Sequence, residues 1–215
     1  MNTDPKLLTL MQWLSPAYPV GTFAWSHGLE AAIATGWVRD GEGLKAWLTD
    51  ILQSGSGWTD AVWIAQGFRA GTPAELTEVH TAARAFAPAN ERLVEAERQG
   101  RAFATVTRAV WAIDLPDGLL PVVLGRAARL MEMNVEAVTA LYLQSFTSNL
   151  ISAAQRLMPL GQTDGQRLLS RLAPTCTEVA AASNGVTMTE LYSNTFLSDI
   201  AAMRHETLQP RLFQS

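Results

Sequence analysis

Apolar residues fall at helical spacing along nearly the whole of this chain. Leu44, Trp47, Leu48, Ile51 and Leu52 follow the i, i+3, i+4, i+7, i+8 rule, which gathers them on one face of a helix. Asp40 precedes the run as an N-cap and Gly55 follows as a stop. Between Asn90 and Ala112, the residues Leu93, Ala96, Gly100, Phe103, Thr107 and Val110 alternate by three and four. That narrow seam predicts helix-on-helix packing over roughly 35 Å, at about 1.5 Å rise per residue. A third stretch, between Glu136 and Arg156, carries no Asp, Glu, Lys or Arg. Val138, Leu141, Tyr142, Ser145, Phe146, Leu150, Ala153, Ala154 and Leu157 form its wide stripe, while Ala140, Thr147 and Ser148 make the other side mild. A helix mild all round belongs at the centre of a bundle or at a subunit contact.

Start signals support the same reading. Thr72-Pro73-Ala74-Glu75 offers a capping hydroxyl, a proline suited to the first turn, and a glutamate to close a capping box. Thr163–Gln166, Thr175–Glu178 and Thr187–Glu190 repeat the spacing. No strand pattern appears; Pro121-Val122-Val123-Leu124 lacks alternation. Breakers separate the helices at Pro16 to Gly21, Gly55-Ser56-Gly57, Pro88, Leu115 to Gly118, Pro159 to Gly165 and Asn184-Gly185. Without a composition shift, a linker or a repeat, the pattern predicts an all-α fold. It is a single-domain bundle of about nine to eleven helices over residues 1–215.

Composition narrows the function. The chain is 48% hydrophobic and 17% charged, rich in core formers and lean in solvating groups, so apolar surface is left for a partner or a second copy to cover. The net charge is −4, and Lys6 and Lys45 are the only lysines. With no basic run, neither nucleic acid nor a membrane surface is an expected partner. The polar groups Gln144, Ser145, Asn149 and Ser152 make the uncharged helix unsuited to lipid. A lone cysteine, Cys176, fits a reducing compartment, and the first residues show no secretory pattern. The expected location is cytoplasmic.

Catalytic chemistry is hard to assemble from these residues. His27, His80 and His205 match no metal-ligand spacing. His205-Glu206 reads best as a surface histidine beside a carboxylate. Neither lysine sits in a phosphate-binding loop, and Cys176 reads as a packed thiol. The expectation is a non-enzyme with no catalytic residue, no metal site and no cofactor of its own. An all-α enzyme using Glu30, His27 and His205 is the remote alternative.

Two segments hold more special residues than packing needs. In Ser15 to Glu30, two prolines and Gly21 stiffen a turn before Phe23, Trp25 and a Ser-His-Gly-Leu-Glu helix start. Gly28 there costs about 1 kcal/mol against Ala, unless a backbone or a partner approaches closely. The second segment is Asp199 to Ser215, where Arg211, Leu212 and Phe213 make an apolar anchor beside a cation. Such an anchor either docks on a partner or folds back on its own domain.

These segments carry a resemblance. Leu7 to Val38 (LLTLMQWLSPAYPVGTFAWSHGLEAAIATGWV), Pro159 to Leu169 (PLGQTDGQRLL) and Ala201 to Ser215 (AAMRHETLQPRLFQS) resemble, in order, the signatures of the urease accessory F family. The stretch from Thr59 to Pro121 carries no motif of that kind. The resemblance implies a dimeric all-α scaffold that binds the D-type (or H-type) urease accessory protein. The pair would recruit the nickel-carrying G-type GTPase and dock on apo-urease, nickel being cargo of the assembly. It also implies partner-binding roles for Pro19, Gly21, Phe23, Ser26, His27, Gly28 and Glu30 at the N-terminal end. Arg204, His205, Glu206, Arg211, Leu212 and Phe213, within the segment 199–215, would bind at the other. A GTPase-activating role through Arg204 or Arg211 is the alternative within this reading.

Overall fold

Helices begin and end where side chains or glycine can serve their free backbone groups. The computed structural model describes residues 4–215. Helix α1 (Pro5–Trp13) starts behind Asp4, whose carboxylate accepts from Lys6 N at 2.9 Å. A 3-10 turn (Thr22–Ala24) leads to α2 (Leu29–Ala34). Asp40 caps α3 (Gly41–Ser54) by accepting from Gly43 N at 2.8 Å. Gly55 then ends α3 and opens α4 (Ser56–Arg69). The Thr72–Glu75 capping box closes in both directions at the start of α5 (Pro73–Ala85). Helices α6 (Asn90–Trp111), α7 (Leu120–Leu130), α8 (Val135–Leu157), α9 (Gln162–Ser183) and α10 (Phe196–His205) complete the chain. The described residues thus form ten α-helices and one 3-10 turn, as the periodicity predicts.

A single apolar cluster runs from Leu10 on α1 to Ala201 on α10. Helix α8 is its axis, buried along Val138, Tyr142, Phe146 and Leu150 on one side and Leu143, Thr147, Ile151 and Ala154 on the other. Neighbouring helices α2, α4, α7 and α9 surround it. Each fully buried Leu, Ile or Phe contributes roughly 1.5–3 kcal/mol against exposure. The closest crossing is α4 on α7, where Gly67 faces the Val122 carbonyl and Gly125 faces the Ile64 carbonyl. A methyl at either place would strike backbone. A satellite cluster of Trp63, Leu76, Val79, Leu119 and Val122 holds α5 against this pair.

Three expectations need correction. Of the four Thr-x-x-Glu/Gln matches, only Thr72 opens a helix. Thr163 and Thr175 lie inside α9, which continues through Pro174. A proline inside a helix costs about 3 kcal/mol, and burial of Leu172, Cys176 and Val179 on either side holds the helix together. Thr187–Glu190 closes a turn instead, with Glu190 Oε2 accepting from Thr187 N at 3.0 Å. The third correction is the face of α6. Val110 is exposed, whereas Glu95 and Gln99 are buried with Gly100, Phe103 and Thr107. Among the described residues, no helix is long and apolar enough to cross a membrane. Cys176 is buried 3.8 Å from Thr147 Oγ, and burial pushes its thiol up.

Candidate partner-binding site

The special residues near the N-terminus build a reverse turn. Gly21, at φ 74°, swings the chain into the 3-10 turn, and Pro19 sits exposed just before it. Leu29 N then donates to Ser26 O at 3.0 Å, with His27 at φ 55° and Gly28 at φ 75° between them. Histidine is among the few side chains found in that left-handed region, and glycine enters it freely. Gly28 is required on a second count. A Cβ there would stand 2.5 Å from Ala202 N and 2.8 Å from Ala201 C, so the backbone of α10 is what approaches it.

The chain end returns to this turn. Gln214 N donates to Ala24 O at 2.8 Å, and Ser26 N donates to Ser215 O at 2.7 Å. The Ser26 hydroxyl donates to the same carbonyl. Glu30 then fastens the tail. Its Oε1 accepts from Leu212 N at 2.7 Å, and its Oε2 accepts from Phe213 N at 2.9 Å. Oε2 also faces His205 Nε2 at 3.1 Å. Burial works to raise the Glu30 carboxyl. The donors from Leu212, His205 and Phe213 outweigh it and hold the group below the ordinary glutamate range. On its other edge, His205 Nδ1 lies 2.7 Å from Glu91 Oε2, and Arg211 pairs with Glu91 Oε1.

Four further contacts hold the C-terminal segment. Glu206 Oε1 accepts from Asn90 N at 3.0 Å and so caps α6, whose own N-cap position is occupied by Ala89. Phe213 is buried beneath the Arg156 guanidinium, 4.3 Å from the ring centroid, and Arg156 also donates to Phe23 O at 3.1 Å. Arg204 lies over the Trp37 ring at 5.1 Å.

The thirteen residues named from sequence therefore divide. Ser26, Gly28, Glu30, His205 and Phe213 point inward and form the fastening, while His27 and Gly21 are half-buried. Pro19, Phe23, Arg204, Glu206, Arg211 and Leu212 are exposed, Phe23 at 71% and Leu212 at 56%. Phe213 folds back on its own domain and is 3% exposed there. His205 is fully buried between Glu30 and Glu91, contrary to the surface position expected of it.

Sequence reasoning missed a second buried polar cluster. Arg92 on α6 pairs with Glu95 and lies 2.9 Å from His27 Nε2, which is also 3.0 Å from Glu95 Oε1. One ring nitrogen can accept from the guanidinium or donate to the carboxylate, never both at once. Burial and then Arg92 lower the His27 pKa. Gln99 Nε2 donates to Glu95 Oε1 at 2.8 Å and Ser215 Oγ donates to Oε2 at 3.3 Å. Burial would raise Glu95, but Arg92 and His27 pull it down to about 2. Tyr142 OH on α8 donates to Asp60 Oδ2 on α4 at 2.7 Å, and burial pushes Asp60 up to about 6 against the pull of Arg92. His27 Nδ1 is buried without a partner. The readable signal was Asp60 itself, an acid inside Trp58-Thr-Asp-Ala-Val-Trp-Ile, a stretch apolar on both faces.

His27 lines a cavity of about 60 Å³ with Asp60, Arg92 and Glu95, and His205 is not part of its wall. The geometry does not converge the two histidines on one pocket. No group of three or more His, Cys, Asp or Glu that could hold a metal ion occurs among the described residues.

The family model UreF matches residues 38–173. Urease accessory protein UreF of Ruegeria pomeroyi is 44% identical over 99% of this chain and 98% of its own length. The protein of that name from Cereibacter sphaeroides is 48% identical over 97% of this chain and 98% of its own. That from Roseobacter denitrificans is 43% identical over 100% and 96%.

Proposed function

Because the chain belongs to the UreF family of urease accessory proteins, we propose that it is a non-catalytic scaffold for urease maturation. In this reading its surface binds the D-type (or H-type) accessory protein. The pair recruits the nickel-carrying G-type GTPase and delivers nickel to apo-urease. The chain acts as a cytoplasmic homodimer and needs no cofactor of its own.

The observation that carries the reading is the Glu30 fastening. It seats the last residues of the chain against the Ser26–Leu29 turn. Phe23 and Leu212 are left as exposed apolar side chains, Phe23 O bonded by Arg156 and Leu212 following Arg211 in the chain. Exposed apolar groups next to arginines are the composition of a protein-binding surface. The buried donors and acceptors beneath make it rigid, so a partner meets it without an ordering penalty. Arg211 and Arg204 are engaged by Glu91 and Trp37, which favours a docking role over an arginine supplied to a GTPase active site.

Co-purification with a D-type or H-type accessory protein tests this directly. The intact chain is expected to pull the partner down, and Leu212→Asp with Phe23→Asp to abolish capture while leaving the fold intact by circular dichroism. Undiminished capture by that double variant would remove this surface from the mechanism. Light scattering of the purified chain tests the dimer, and a chain that stays monomeric at all concentrations rules it out.

A further inference from the structure

The turn after α9 carries a pair of residues that neither the core nor the fastening uses. Asn184 and Gly185 follow Ser183 and lead into an irregular connector, residues 186–195, that runs back along α4 before α10 begins. The connector is held at both ends. Gln66 Nε2 donates to Val186 O at 2.7 Å, and Arg69 Nη2 donates to the same oxygen at 2.6 Å. Arg69 Nη1 also donates to Asn184 O. At the far end, Asn194 N donates to Ser54 O at 2.8 Å, and the Tyr192 ring lies 5.4 Å from that of Trp58.

Neither backbone geometry nor space requires a glycine at 185. Its φ lies outside the left-handed region, and a Cβ there would meet no atom within 4 Å. What glycine leaves is an uncovered amide. Gly185 is exposed, and its N–H donates to no backbone oxygen among the described residues, although Asn184 N and Val186 N on either side both do. The half-buried Asn184 side chain likewise has no hydrogen bond among the described residues; only its main-chain groups are engaged. A free amide nitrogen thus follows directly on a free carboxamide, a nucleophile beside its electrophile.

We propose that Asn184 is a site of spontaneous deamidation, with Arg69 setting its rate. The Gly185 nitrogen bonds to Asn184 Cγ as the Cγ–Nδ2 bond breaks, and Nδ2 leaves as ammonia with the amide proton. Water then opens the succinimide. Opening at the side-chain carbonyl gives aspartate; opening at the backbone carbonyl gives isoaspartate. Either product places a negative charge at the C-terminal end of α9, where the helix dipole is already negative. Isoaspartate also routes the backbone through Cγ, which shifts Val186 O away from Gln66 and Arg69. At ψ −27°, Asn184 holds the Gly185 nitrogen off the line of attack, so the peptide plane must turn first. Arg69 grips the carbonyls on both sides of Gly185 and resists that rotation.

The purified full chain, aged in neutral buffer and cut with trypsin, tests this. Cleavage after Arg171 and Arg204 releases Leu172–Arg204, which carries Asn184 and, as an internal reference, Asn194. Fragment-ion mass spectrometry is expected to show NH replaced by O at 184 and not at 194. Isoaspartate methyltransferase should label the aged chain and not the fresh one. Gly185→Ala, which fits without a clash, should slow the loss roughly tenfold by crowding the nucleophile. Arg69→Ala should speed it several-fold. Gln66→Ala, which releases Val186 alone, should act in the same direction on a smaller scale, and it tests the restraint even if Arg69→Ala folds poorly. The proposal is overturned if Asn184 outlasts or matches Asn194, if Gly185→Ala converts at the native rate, or if neither Arg69→Ala nor Gln66→Ala is faster than the native chain.

Discussion

Two buried polar clusters share the first turns of α6, Glu91 in one and Arg92 with Glu95 in the other, and they differ in how completely their charges are matched. Around Glu30, the acceptors and donors close on one another: both carboxylate oxygens are filled, His205 is engaged at both nitrogens, and Arg211 completes Glu91. Around Arg92, an acid oxygen and the Nδ1 of His27 are left over. A closed set fastens one part of a chain to another. An open set is held in place at some loss of stability.

The contrast is broken most severely by Glu30→Ala, which strands His205 and the Leu212 and Phe213 amides. A loss of about 3–5 kcal/mol is expected by chemical denaturation, with fast hydrogen exchange at residues 212–215. The Glu30 and Glu95 carboxyls both lie below their unfolded values. The stability they contribute is complete above an unfolded pKa near 4.5 and disappears as pH falls through the folded values, so acid should unfold the native chain more sharply than the variant.

Next in size is Gly28→Ala. It adds a methyl against the α10 backbone in a left-handed conformation, and should cost about 2–4 kcal/mol in the same assay. A loss under half of that would show that α10 gives way easily, and would soften the view of the fastening as rigid.

Asp60→Asn should run the other way. The folded pKa of Asp60, about 6, stands above its unfolded value of 3.8, so its favourable contribution exists below the unfolded value and is lost as pH rises through 6. The amide keeps an acceptor for Tyr142 without the buried charge, and a gain of about 1–3 kcal/mol at pH 7 is expected, vanishing near pH 4. Destabilisation at pH 7 would place Asp60 among the closed set instead. The smallest effect belongs to Arg171→Ala, whose partner Glu42 is exposed. Its denaturation midpoint should match the native one, because a solvated pair is screened.

How much of this was legible depends on which physical signal each residue emits. Asp40 and Thr72 announce caps because local geometry alone satisfies them. The α8 stripe announces a central helix because no charge interrupts it. Gly28 announced a close approach, and the approaching backbone proved to be that of α10. Glu95 and Gln99 misled, since an acid and an amide on a helix read as a wet face until Arg92, His27 and Ser215 converge on them from distant parts of the chain. Thr175–Glu178 misled for the mirror reason: it reads as a helix start, yet burial of Leu172, Cys176 and Val179 carries α9 straight through it. Phe213 was undecidable in one dimension, because its fate rests on Glu30 lying 183 positions away.

The carboxylate of Glu206, set at the head of α6, gives the molecule a mechanical linkage. It holds the first turn of the helix that carries Arg92 and Glu95, yet it is itself carried by the end of α10. Any load that drags the last helix outward tugs on the root of α6, so strain applied at the rim is felt by the charges in the interior.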